Sequence, residues 1–288
     1  MSATTIRELQ VSANGLRFDV DVAGEPEGPL VLLLHGFPQT SYSYRHELPA
    51  LAAAGYYAAA PNQRGYSPGA RPPLVADYAT QLLCDDAIAI SKALGAGRFH
   101  LVGHDWGGQL AWLIAASRPE LVQSLSVLSR PHPAAFAGAM KSDAAQSERS
   151  RHHRAFNDPN TAARLLEDDA RRLRRTLRDQ RVPEADIDAY LRRVGEPAAL
   201  EAALQWYRAA QSGGGLAAGS VPAVTVPTLY VWGDADSSVG SIAAEATARH
   251  VTGPYRFEVI SGAGHFLTDE VGEQVTRLVL GHVQKFSR

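Results

Sequence analysis

The sequence predicts an α/β fold built on a mostly parallel central sheet, and three observations carry that expectation. Short apolar runs without interruption, such as Leu30–Leu34, alternate with longer segments of helical periodicity. The chain opens instead with two segments of alternating polarity around Asn14-Gly15, a pair suited to a tight hairpin turn. A long stretch, 131–221, then reads almost wholly as helix between helix breakers.

The elements follow in order. Segments 6–11 and 16–22 form the hairpin. Leu30–Leu34, 56–60, 99–102 and 125–128 are strands buried on both faces, with helices at 76–94 and 107–116 between them, as crossover connections to a parallel sheet require. Arg130-Pro131-His132-Pro133 breaks the rhythm, and Gly213-Gly214-Gly215 with Pro222 and Pro227 marks where it resumes. Strand 228–232, helix 241–250, strand 257–260 and helix 269–285 complete the chain. Residues 1–130 and 222–288 therefore make one α/β domain, and 131–221 is an inserted helical subdomain that covers it.

Composition narrows the function classes. The chain has 288 residues, of which 45% are hydrophobic and 20% charged, which is ordinary globular usage. A formal charge of −2 offers nucleic acid no general attraction. Arginines between 149 and 193 are interleaved with acids, as on solvated helix faces. The single cysteine, Cys84, can form no intrachain disulfide, has no metal-ligand spacing around it, and reads as a buried helix residue. No apolar stretch reaches the roughly 18 residues of a membrane span, and the start lacks a signal pattern, so a cytoplasmic protein without metal or cofactor is expected.

The strongest motif is Gly103-His104-Asp105-Trp106-Gly107, at a junction from apolar strand to helix. It matches the nucleophile elbow G-x-S-x-G with Asp in place of Ser. The central residue of such an elbow is strained, so residues two positions away must be small for the backbones to pass. An N-cap role for Asp105 is the plain alternative. A carboxylate is ionised at neutral pH and needs no base for its first attack, which suits displacement at saturated carbon. The resulting ester of Asp105 must then be hydrolysed, and that second step requires a base.

Chain order in such a fold is nucleophile, acid, histidine. His265, in the small-residue loop Ser261-Gly262-Ala263-Gly264-His265-Phe266, is the candidate base. Trp232-Gly233-Asp234-Ala235-Asp236 supplies two candidate acids, and Asp236 is preferred because Asp234 follows its strand too closely to turn back towards His265. His35-Gly36-Phe37-Pro38 lies on the loop where one oxyanion-hole amide belongs, so Phe37 and Trp106 are the expected backbone donors. A cis Phe37-Pro38 bond is also expected there.

These residues resemble the epoxide hydrolases of the α/β-hydrolase superfamily, with haloalkane dehalogenases as near relatives. The likeness covers nearly the whole chain and rests on His35 to Pro38, Arg64-Gly65-Tyr66-Ser67, Gly103 to Gly108, Asp236 and Gly264-His265. Asn62 departs from the Asp common at that position, a difference read as structural. The resemblance implies an α/β-hydrolase fold with a helical cap, a small apolar epoxide or halogenated substrate and water, no cofactor, and assembly of two copies left open. It implies two cap acids over the nucleophile. Tyr207 is one, on the helical face of Leu200 and Leu204; His152 is the nearest candidate for the other by position, with Tyr190 as its rival. His35, Pro38 and Trp206 are the implied substrate-binding residues. A dehalogenase would hold its halide between two side-chain N–H donors; Trp106 could be one, but Phe37 stands where Asn would supply the second, leaving only Trp206. A non-catalytic receptor on the same fold is the remaining alternative, opposed by the apparent triad.

Overall fold

The computed structural model describes residues 4–151, 155–215 and 221–287. The predicted α/β fold is observed. Strands β1 (Arg7–Ala13) and β2 (Leu16–Ala23) pair antiparallel. Their turn places Asn14 at φ +50° and Gly15 at φ +76°, the left-handed values this type of hairpin demands. Strands β3 (Leu30–Leu34), β4 (Tyr57–Pro61), β5 (Phe99–His104), β6 (Val122–Leu128), β7 (Thr228–Gly233) and β8 (Tyr255–Ile260) run parallel, in the sheet order β1-β2-β4-β3-β5-β6-β7-β8.

The side-chain period of two explains why β3 is apolar throughout. Leu30, Leu32 and Leu34 join the core beneath helices α2 (Thr80–Ala93) and α3 (Trp106–Ser117). Val31 and Leu33 enter a second core with α1 (Glu47–Ala53) and the C-terminal helix on the other face. Fully burying each such side chain contributes about 1.5–3 kcal/mol.

Several boundaries differ from the sequence reading. The helix expected over 76–94 is a 3-10 turn, Val75–Tyr78, followed by α2, because Ala79 takes the extended ψ of 138°. Strand β6 begins before residue 125, since buried Ser124 hides its apolar character; its hydroxyl is paired with His100 Nδ1 at 2.8 Å. Helix α1 has no counterpart in the periodicity analysis, being only seven residues long and therefore stabilised by packing rather than propensity. The segment 241–250 divides into a helix (Ser241–Ala246) and a 3-10 turn (Thr247–His250). The last helical segment divides at Val271 into Leu267–Glu270 and Gly272–Lys285.

Between β6 and β7 the regular elements among the described residues are helical. They are α4 (Pro133–Ser142), α5 (Ala144–Arg149), α6 (Thr161–Asp179), α7 (Glu184–Val194) and α8 (Pro197–Ala209), which runs on into a π-helical turn (Ala210–Gly214), with α6 interrupted where Asp168, Asp169 and Ala170 adopt positive φ. This layer is tied to the sheet by buried polar contacts. Arg45 bridges Asp186 of α7 at 2.6 Å and Asp269 at 2.9 Å. Arg64 is held by Asp86 of α2 through two bonds, and its carbonyl accepts the Trp206 indole N–H of α8 at 2.8 Å. Asn62 is wholly buried and accepts the Ser41 N–H, a structural placement. Cys84 is buried in α2. No helix among the described residues is long and apolar enough to cross a membrane.

Glu47 at the start of α1 is fully buried, with Thr276 donating to it at 2.9 Å. Burial pushes its carboxyl from 4.5 up to about 8, against the opposing Thr276 bond. The folded value exceeds the unfolded one, so this group stabilises the fold most below pH 4.5 and loses that contribution as pH rises through 8. Glu47→Gln removes the titration. The difference in Tm between variant and wild type is expected to move in favour of the variant from pH 5 to pH 8; a constant difference by calorimetry would show that Glu47 holds no such proton.

Candidate active site

The site is assembled at the C-terminal edge of the sheet, where strands β5, β6 and β7 and the loop after β8 converge. Asp105 stands between β5 and α3 at φ +50°, ψ −116°, a strained conformation for a residue with a side chain. The turn is possible because of its flanking glycines. A Cβ on Gly107 would lie 2.0 Å from the Leu34 carbonyl oxygen, and one on Gly103 would lie 2.4 Å from the Gly107 carbonyl oxygen. Gly107 N–H donates to the His35 carbonyl at 3.1 Å and so fastens the elbow to the end of β3.

The bend brings Asp105 to two partners. Its Oδ1 accepts the Phe37 backbone N–H at 3.0 Å, and its Oδ2 lies 3.5 Å from His265 Nε2. The other ring nitrogen of His265 bonds Asp236 Oδ2 at 2.8 Å. Asp236 is buried, and its Oδ1 accepts the N–H groups of Ser238 and Val239 at 2.7 and 3.0 Å. Asp234 points elsewhere and accepts the Gly262 N–H at 2.6 Å. The His265 carbonyl receives Ser129 Oγ at 2.6 Å and His104 Nε2 at 2.8 Å, which fixes the loop.

The electrostatics follow from this geometry. Burial opposes ionisation of Asp105, but the hydrogen bond and charge of His265 outweigh it and hold the carboxyl well below the usual carboxylate range. Burial likewise opposes charge on His265, yet the Asp236 charge, assisted by hydrogen bonds to both carboxylates, raises the imidazole above its ordinary value. Both shifts run in the direction that favours a charged imidazole facing the Asp105 carboxylate.

Above Asp105 lies a cavity of about 270 Å³, bounded by Phe37, Pro38, Phe136, Phe156, Tyr207 and His265 among others. Tyr207 is 4% exposed and stands edge-on to Phe37, Phe156 and Trp106. Burial first, and the nearby Asp105 charge second, raise its phenol well above the ordinary value, opposed by a hydrogen bond from Trp106. Its proton is retained at any physiological pH.

Other expected residues lie elsewhere. His35 is buried behind the loop rather than on the cavity wall: Nε2 accepts the Gln63 N–H at 3.3 Å, which leaves Nδ1 to donate to the Gly36 carbonyl at 3.0 Å. Burial pushes it down to about 4, so it is a neutral structural group. His35, expected to bind substrate, is thus placed behind that wall. Trp206, also expected to bind substrate, is placed with its indole N–H donating to the Arg64 carbonyl and its ring packed against Tyr66 and Trp106. Tyr190 donates to Asp269 at 2.7 Å and is not on the cavity wall. His152 lies outside the described residues. The Phe37-Pro38 bond is cis. Sequence reasoning overlooked Arg130, Phe136 and Phe156 on the cavity wall. Only Arg130 left a signal, its position just past the end of a parallel strand, where such folds bind ligands.

With this arrangement in view, the chain's relatives are informative. Residues 29–270 match the family model described as the alpha/beta hydrolase fold. Epoxide hydrolase A of Mycobacterium tuberculosis is 34% identical, with 95% of this chain and 96% of that protein aligned. The chain belongs to the epoxide hydrolase family of α/β hydrolases. Another member of the epoxide hydrolase family, mouse epoxide hydrolase 4, is 31% identical over 97% of this chain and 80% of its own length. The crystal structure of epoxide hydrolase A from Mycobacterium thermoresistibile superposes with a TM-score of 0.84 at 28% identity, covering 97% of this chain and 98% of that one. As an epoxide hydrolase family member, the chain is a hydrolase.

The charge of Asp236 sets the protonation of His265 in this site. Because the folded value exceeds the ordinary 6.5, the pairing stabilises the fold fully below that pH, and the contribution is lost as pH rises through the raised value. Asp236→Asn keeps the bonds to Ser238 and Val239 within reach but removes the charge. The imidazole titration midpoint, followed by nitrogen-15 NMR, is expected to fall by at least about one unit; an unchanged midpoint would remove Asp236 from this role.

Proposed function

We propose that this protein opens epoxides to vicinal diols through an ester on Asp105, hydrolysed by water that His265 activates with Asp236 orienting the ring. The observation that carries the proposal is the Asp105 carboxylate at the elbow, bonded to Phe37 N–H on one oxygen, facing His265 with the other, and sharing its cavity with the Tyr207 phenol.

In the first step Oδ2 attacks an epoxide carbon, the ring C–O bond breaks, and the Tyr207 proton passes to the departing oxygen. The buried carboxylate needs no base for this attack. Ester formation removes the charge that helped keep His265 protonated, and the imidazolium proton returns to the Tyr207 phenolate. His265 is thereby converted to a free base at the moment one is needed. It takes a proton from water, whose oxygen attacks Cγ of Asp105. The developing oxyanion on Oδ1 is held by the Phe37 N–H, with the Trp106 N–H as the second proposed donor; loss of one such donor typically costs about 100- to 1,000-fold. The Cγ–Oδ2 bond then breaks, the departing oxygen takes the proton still carried by the newly added hydroxyl, the diol leaves, and Asp105 is again a carboxylate beside an imidazolium.

Dehalogenation would use the same carboxylate, but a halide needs a second side-chain N–H. The Trp206 indole is occupied by Arg64, and Phe37 has only its backbone to offer. A receptor reading gains nothing from a buried carboxylate whose charge must be balanced by an ordered His265-Asp236 pair.

Two outcomes test the reaction. His265→Gln, mixed with styrene oxide, is expected to accumulate one covalent adduct on the peptide bearing Asp105; an adduct elsewhere, or none with diol still forming, overturns the mechanism. Tyr207→Phe is expected to slow ester formation by roughly 10- to 10,000-fold, the range of general-acid contributions, as read by rapid quench. Unchanged ester formation would return Tyr207 to packing alone.

A further inference from the structure

Arg130 follows β6, whose neighbour β5 ends at Asp105, with Leu128 paired to His104. Parallel strands lie about 4.8 Å apart, so the Arg130 side chain rises beside the elbow. It borders the cavity described above and also a second space of about 210 Å³, and Asp105, Phe136 and Tyr207 line both. The second space is the more polar in its lining residues, adding Thr80, Gln109 and Gln211.

A guanidinium held in such a place normally has a carboxylate beside it. Among the described residues, Arg130 forms no ion pair. Its Nε donates to Gln109 Oε1 at 3.1 Å, and its guanidinium carbon lies 4.1 Å from the centre of the Phe136 ring. These contacts orient the group without neutralising it. Asp105 is already engaged at both oxygens by Phe37 and His265. Burial lowers the Arg130 pKa, with nearby Asp105 opposing that shift, as expected for a cation short of compensation. Arg130 is therefore a cation on the cavity wall that, among the described residues, has no ion-pair partner of its own and stands beside Asp105.

We propose that Arg130 is a specificity-determining residue that receives a carboxylate borne by the substrate within a few bonds of the epoxide ring. This rests on the epoxide-opening reading and names its preferred substrates as small epoxy acids. The planar fork of the guanidinium suits a carboxylate, and the two Nη groups are left for it once Nε has bonded Gln109. The bond would align the ring carbon with Asp105 Oδ2, so the anion serves orientation as well as affinity.

The test compares 3,4-epoxybutanoate and 5,6-epoxyhexanoate with their neutral amides. Wild-type protein is expected to favour the acids in kcat/KM by tenfold or more, about the value of one charge-assisted hydrogen bond, chiefly through KM. Arg130→Gln should lower the acids by about 10- to 100-fold while the amides change by less than about threefold. Arg130→Lys, which keeps the charge and guards against a folding defect in the first variant, should retain part of the preference. Equal treatment of acids and amides by wild type at both chain lengths, or an equal loss for both in Arg130→Gln, overturns the proposal. Calorimetric binding of the corresponding dihydroxy acids and dihydroxy amides separates the two readings. An acid preference lost in Arg130→Gln without any epoxide turnover would sustain the Arg130 site and sink epoxide opening; turnover of neutral epoxides without an acid preference would do the reverse.

Discussion

The structure depends on a backbone that is forced through a bend at Asp105. A side chain at φ +50° is costly, by something on the order of 1–3 kcal/mol, and the chain tolerates it only because β3, β5 and α3 close around the turn. Gly107 N–H bonds to the His35 carbonyl, and the bare Cα of Gly107 leaves room for the Leu34 carbonyl. The same crowding that strains the turn aims the carboxylate outward. Relaxing the bend would lose the aim of the side chain along with the strain.

Around that carboxylate, charge is balanced in an ordered way. Asp236 is spent on two backbone N–H groups and one ring nitrogen, which leaves the imidazole with a single free direction, towards Asp105. Two carboxylates thus share one cation. In the proposed reaction the first of them is consumed by ester formation, and the cation loses half of its support at that point. Under that proposal no outside signal is needed to change His265 from acid to base, because the covalent step would itself change the field the ring sits in.

The helical layer does more than roof the cavity. Arg149 donates to the carbonyl of Asp236, and Gln146 bonds both Ser238 and Gly240, so helix α5 grips the loop that carries the acid. Arg181, after α6, reaches the Gly262 carbonyl and Glu270 on either side of the histidine loop. Trp206 fastens α8 to Arg64, which is itself locked to Asp86. Docking the helices and ordering the two loops are one process in physical terms, since each supplies the other's hydrogen-bond partners.

What the amino-acid sequence determined by itself was local. The α/β class was legible because strands buried on both faces must be apolar throughout, as Leu30–Leu34 is, and the elbow was legible because Gly103 and Gly107 answer a backbone demand confined to five residues. Asp236 was separable from Asp234 by loop length alone. Direction and distance were not legible. His35 and Phe37 are neighbours in one motif, yet one faces inward to Gln63 and the other bounds the cavity. Trp206 and Tyr207 are adjacent on one helix, and the helical turn sends the first to Arg64 and the second over Asp105. Arg130 read only as the edge of an insertion until adjacent strand ends brought it beside the elbow. Motifs record what the backbone requires nearby; which side chains share a cavity depends on how distant segments pack, and only the tertiary structure decides that.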